Sequence, residues 1–166
     1  MSFKSWMRGA MAVGLLGAAA SPVMAWGEFS WPNTGRITST WLYPNGTVHS
    51  GSADIAAPSW SWISASHQGN AYRYWQSGGC GNYSLLIHRN GYRTNYCHQV
   101  RWPLYGGGRW VNRNQLIGYV GTTGHSTGPH CHYTIFRWGA RLRIPGIWIG
   151  KWVVRTGIVP GSYWGA

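Results

Sequence analysis

His49, Asp54, His98, His130 and His132 are the side chains in this chain whose types and spacing could do chemistry together. Asp54 stands out first, because Asp54 and Glu28 are the only acidic residues, set against 14 Lys and Arg. It follows His49 in the run His49-Ser50-Gly51-Ser52-Ala53-Asp54, and far downstream comes Pro129-His130-Cys131-His132-Tyr133. Carboxylate oxygen and imidazole nitrogen are both zinc ligands, bound at ~2.0–2.2 Å. A catalytic zinc keeps three protein ligands and leaves one position open. Two His and one Asp would supply those ligands. Two further His would remain for acid–base work, with an intrinsic pKa suited to neutral pH.

Elements must hold these residues in place, and the sequence from Trp26 onward reads as strands and turns. Asn82–His88 is an apolar strand-like run, Asn90-Gly91 is a hairpin signal, and Tyr92–His98 reads as the returning strand. Gln115–Val120 and His130–Phe136 read as two further strands, separated by the Gly/Ser/Thr loop 121–129. No amphipathic helix is evident, so the expected class is all-β, mainly antiparallel sheet with long loops. Strand side chains alternate faces. His130 and His132 should therefore share one face, with Cys131 on the other. By the same parity His98 should share a face with Tyr96, with Cys97 turned away. His49 and Asp54 should arrive from a loop.

Bulk composition narrows the class. The chain has 13 Trp, 10 Tyr and 25 Gly, with only 10% charged residues, a composition opposed to disorder. Its net charge of +12 points to an anionic partner, such as the bacterial wall, anionic lipid or nucleic acid. All basic residues but Lys4 and Lys151 are Arg, which favours planar, bidentate recognition. No nucleic-acid-binding motif appears. Residues 1–25 read as a secretory signal peptide: Lys4 and Arg8, a short apolar run, and a small-x-small site ending at Ala25. The expected location is secreted or periplasmic, with no membrane segment after cleavage and a monomeric chain. An oxidising compartment would let two of Cys80, Cys97 and Cys131 pair, and the sequence does not choose which.

Three blocks together resemble the lysostaphin-type and β-lytic zinc endopeptidases, the LytM-like group, which cut the peptide cross-links of bacterial peptidoglycan. They are HSGSADIAAP (His49–Pro58), GNYSLLIHRNGYRTNYCH (Gly81–His98) and NQLIGYVGTTGHSTGPHCHY (Asn114–Tyr133). The last is the most specific. The resemblance implies one zinc ion held by His49, Asp54 and His132. It also implies catalytic roles for His98 and His130 in activating water and steadying the oxyanion, with peptidoglycan peptides as substrate. The step from His49 to Asp54 is one residue longer than lysostaphin-like members usually have. The expected layout is a signal peptide over 1–25, a metallopeptidase domain over 26–137, and a basic aromatic extension over 138–166.

Other residues receive plainer readings. His88 should be structural, His67 a strand residue away from the site, and His125 a solvated loop residue, with a place at the cleft rim as the lesser alternative. Tyr43, Tyr96 and Tyr133 are candidate donors to an oxyanion. Cys131 is a lesser candidate ligand. Two other functions compete: a non-catalytic wall-binding module of the same fold, acting through the Trp and Arg of the extension, and a thiol hydrolase using Cys80 or Cys97 with His98.

Overall fold

The computed structural model describes residues 29–40 and 52–160. The expected leader over 1–25, together with Tyr43 and His49, lies outside the described residues. No helix occurs among them. The strands are β1 (Gly35–Ser39), β2 (Ala53–Ala56), β3 (Trp62–Ser64), β4 (Gly69–Gln76), β5 (Gly81–Ile87), β6 (Tyr92–Gln99), β7 (Arg109–Val111), β8 (Leu116–Tyr119), β9 (His130–Arg137), β10 (Ala140–Arg141) and β11 (Trp152–Val153). The main sheet runs β11-β1-β2-β9-β6-β5-β4-β7, with β10 on β9; β3 and β8 form a second, two-stranded sheet. Every pairing is antiparallel.

Alternation of burial explains why the central strands form. In β1, Gly35, Ile37 and Ser39 turn inward while Arg36 and Thr38 face solvent. In β9, Cys131, Tyr133 and Ile135 are buried, whereas His130 and His132 are only half-buried. The inner face of the sheet joins Ile63 and Ile117 of the small sheet in one core, with Phe29, Trp31, Ile37, Ile55, Leu86, Tyr96 and Tyr133. Buried side chains of this size each contribute about 1.5–3 kcal/mol of transfer free energy. Ile144, Val153 and Val159 of the C-terminal stretch belong to the same core.

The hairpin signal is realised. Asn90 and Gly91 take φ of 57° and 73°, and the Tyr92 N–H donates to the Arg89 carbonyl at 3.3 Å. Left-handed backbone at both central positions makes a type I′ turn, whose twist matches the flanking strands.

Candidate active site

The open face of the main sheet carries the chemistry. On β9 and β2 the register sets His132 opposite Asp54 and His130 opposite Ala56. Residues directly opposite one another in an antiparallel pair share a face. Asp54 therefore lies within a strand, not a loop, and its partner on β9 is His132. The His132 Nδ1 donates to Asp54 Oδ1 at 2.8 Å, and His130 Nε2 lies 3.7 Å from the same oxygen.

His98 reaches this face by a route that parity excludes. Tyr96 is paired with Tyr133 on the core side, so regular alternation would bury His98 there as well. Instead the β5–β6 register slips between Asn82↔Gln99 and Ser84↔Tyr96, leaving Cys97 and His98 opposite the single Tyr83. This is a β-bulge, a device that re-aims a side chain. His98 occupies the left-handed region at φ 62°, a conformation costing a non-glycine residue about 1–3 kcal/mol. Its N–H donates to the Cys80 carbonyl at 2.7 Å, and the Cys80–Cys97 disulfide fastens the same two segments. The His98 ring then sits 4.6 Å from that of His130 and 6.0 Å from that of His132, centre to centre.

The loop 121–129 sets the orientation of two imidazoles. His98 Nδ1 donates to the Thr123 carbonyl at 2.8 Å, and His130 Nδ1 donates to the Gly128 carbonyl at 2.8 Å. A ring held this way keeps its proton on Nδ1 and presents Nε2 as the free lone pair. Burial, aided by the neighbouring His130 and His132, holds His98 down to about 4, against the pull of its Thr123 hydrogen bond and of Asp54. It is therefore neutral near pH 7. Two glycines let the loop approach so closely. A Cβ at Gly124 (φ 73°) would strike the Gly79 carbonyl and the Gly81 backbone, and one at Gly81 (φ 62°) would strike Thr123.

Beside the imidazoles lies an open hollow of about 320 Å³ whose walls include His98, His125, His132, Gln76 and Arg141. His125 thus stands at the site's rim. Arg141, read from sequence as part of a tail, is the cation of this hollow. Neither it nor the Thr123 and Gly128 carbonyls was singled out from sequence. Backbone groups carry no residue-type signal, and Arg141 reaches the site only because β10 folds back on β9.

Other expectations from sequence differ from the structure. Tyr96 and Tyr133 face the core and are fully buried; the Tyr96 hydroxyl sits 2.8 Å from Ser66 Oγ, so neither can serve the open face. Cys80 and Cys97 are joined to each other, which removes both as nucleophiles, and Cys131 remains a buried thiol on the core side of β9. Burial pushes that thiol well up, and its place on the core face turns it away from the imidazoles. His67 lies in a bend before β4 rather than in a strand, packed against His88.

Among the described residues no three His, Cys, Asp or Glu group as a metal site. The two expected ligands that are described do fit zinc. Tetrahedral donors at ~2.0–2.1 Å lie about 3.3 Å apart. The 2.8 Å between His132 Nδ1 and Asp54 Oδ1 needs to open only slightly to admit the ion between them.

The sequence profile of Peptidase family M23 matches residues 47–143. The peptidoglycan DD-endopeptidase ShyA of Vibrio cholerae is 46% identical over 55 residues, 33% of this chain and 13% of that protein. A zinc-containing peptidase from Vibrio cholerae superposes with a TM-score of 0.62 at 27% identity, over 69% of this chain and 38% of that one. The catalytic domain of lysostaphin from Staphylococcus simulans superposes with a TM-score of 0.54 at 28% identity, over 67% of this chain and 87% of that one. The chain spans between 12% and 22% of the length of the curated relatives it matches.

Proposed function

Because the chain belongs to peptidase family M23, we propose that it is an exported zinc metalloendopeptidase that hydrolyses peptide cross-links of bacterial peptidoglycan. One observation carries this reading. The imidazoles of His130 and His132 flank the Asp54 carboxylate, the His98 ring packs against both of them, and two of the three rings have their Nδ1 protons tied to loop carbonyls. Export is supported by the leader pattern of residues 1–25 and by the Cys80–Cys97 disulfide, a bond typical of oxidising compartments.

In this reading His49, Asp54 and His132 hold the zinc. The bound ion would supply Lewis-acid polarisation of the scissile carbonyl and lower the pKa of water at its open position. The chain's own part is proton handling and orientation. His130 Nε2 and His98 Nε2 offer two lone pairs on one face, within reach of a proton released by the attacking water and needed by the leaving amine. With Asp54 assigned to the metal and Glu28 the only other acidic side chain in the sequence, this reading gives the imidazoles the part that a glutamate base plays elsewhere. Thr123 and Gly128 keep each ring in the tautomer that leaves Nε2 able to accept. Neutral His98 starts in the accepting state.

The test is a set of single variants read by zinc content and by lysis of purified peptidoglycan. Asp54→Ala and His132→Ala are expected to lose both zinc and lysis. His98→Ala and His130→Ala are expected to retain zinc and lose turnover by a hundredfold or more, the scale of general acid–base catalysis. Full lysis by Asp54→Ala would overturn the assignment.

A further inference from the structure

The register of the main sheet places four residues in one row: His130 of β9 opposite Ala56 of β2, Ala56 opposite Arg36 of β1, and Arg36 opposite Trp152 of β11. Directly opposed residues share a face, so Arg36 and Trp152 lie on the same open face as the imidazoles. The first stretch of this row is a trough, lined by His130, Ala56, Thr38 and Pro129. Its far end is a separate hollow of about 250 Å³, lined by Trp152, Trp62, Arg155, Thr34, Pro58 and Ser61. The two indoles are 64% and 56% exposed, which is a high fraction for side chains that bury well.

We propose that this hollow binds a sugar of the glycan strand while the attached stem peptide runs along the row to the imidazoles. The inference rests on the peptidase reading. Length is the first argument. Three inter-strand steps of ~4.8 Å put Trp152 roughly 14 Å from His130. An extended peptide of about four residues spans ~13–14 Å, the reach of a stem peptide between its sugar and its cross-link. Chemistry is the second. Indole faces pack against the C–H face of a pyranose and keep an N–H for its hydroxyls. Arg155 is held in place beside them: its Nη1 donates to Ser64 Oγ at 3.0 Å, its backbone N–H donates to Thr34 Oγ1 at 2.9 Å, and its guanidinium lies 5.6 Å from the Trp62 ring centre. Its remaining N–H groups suit the acetamide and hydroxyl oxygens of an amino sugar. Arg155 is the single cation among six lining residues, a composition suited to a largely neutral saccharide rather than a polyphosphate.

Two substrates separate this inference from the reading beneath it: a cross-linked peptide dimer without sugars, and the same dimer carrying its disaccharides. Trp152→Ala is expected to raise KM for the sugar-bearing dimer tenfold or more with kcat within twofold, and to leave the sugar-free dimer unchanged. Trp152→Phe should restore most of the loss. Equal effects on both substrates, or none on either, would overturn the proposal. Calorimetric binding of the uncross-linked disaccharide-tetrapeptide supplies an arm independent of turnover. Wild-type protein should bind it at least tenfold more tightly than Trp152→Ala. No difference, or an equal loss for a single-stranded DNA oligomer, would overturn the sugar site even if the peptidase reading stands. Absence of cleavage by wild type, with this difference in binding intact, would sink the peptidase reading alone.

Discussion

At the scale of single residues, the histidines divide by what surrounds them. His88 is buried; its Nδ1 donates to the Gln68 carbonyl at 2.8 Å, and its Nε2 lies 2.8 Å from Thr94 Oγ1. Burial lowers it to about 4, with the Gln68 hydrogen bond opposing and His67 adding to the drop. The unfolded chain, with an ordinary value near 6.5, takes up a proton at a pH where the folded ring resists it. His88 therefore leaves stability intact above pH 6.5 and erodes it as pH falls from 6.5 toward 4, by about 3 kcal/mol in all. His67, also lowered chiefly by burial, adds to the same trend. Urea unfolding across this range should show the fall, and His88→Leu should flatten part of it while costing stability at pH 7. An unchanged slope in that variant would contradict the assignment. His130 and His132 were legible from sequence because a spacing of two in a strand fixes a shared face. His98 was named through the family resemblance, but its placement was not legible: the same parity puts it with Tyr96, and only the bulge opposite Tyr83 overrules it.

At the scale of elements, the bulge on β6 depends on its neighbours. The segment Gly79–Gly81 carries the Cys80 carbonyl and disulfide beneath His98, and the loop 121–129 presses on it through Gly124. Gly124→Ala would force a Cβ into backbone at a left-handed position, costing about 1–2 kcal/mol from φ alone. It should also displace the Thr123 carbonyl and lower turnover tenfold or more with zinc content unchanged; full turnover would show that this loop does not orient His98. Removing the disulfide with Cys80→Ser and Cys97→Ser opens a link across 17 residues, worth about 3 kcal/mol by loop entropy. Denaturant midpoints check that value. Strands β5, β6, β8 and β9 and the Asn90-Gly91 turn were readable from apolar runs and turn residues. The pairing of β2 with β9 was not, because strands distant in sequence leave no local sign of register, and Asp54 was accordingly expected in a loop. The tail strands β10 and β11 are two residues each, too short for alternation to show.

At the scale of the whole molecule, charge and architecture act together. The strong net positive charge, +12 for the whole sequence and two less once a leader carrying Lys4 and Arg8 is removed, draws the chain to anionic polymer, and that attraction is screened within about 10 Å at 0.1 M salt. Retention on isolated walls should drop severalfold between 50 and 500 mM salt, while turnover of a small neutral cross-linked peptide stays within about twofold. Equal loss on both would place the salt effect in the site rather than in wall capture. The open sheet face joins the imidazoles, the row through Arg36 and the tryptophan hollow into one surface. In the proposed function, metal-dependent peptide hydrolysis happens on that face. Digestion of purified peptidoglycan with and without a zinc chelator, followed by mass spectrometry of the fragments, tests it most directly. New amine termini should appear, vanish with chelator and return when zinc is restored. Termini that persist in chelator, or wall binding with no new termini at all, would contradict it.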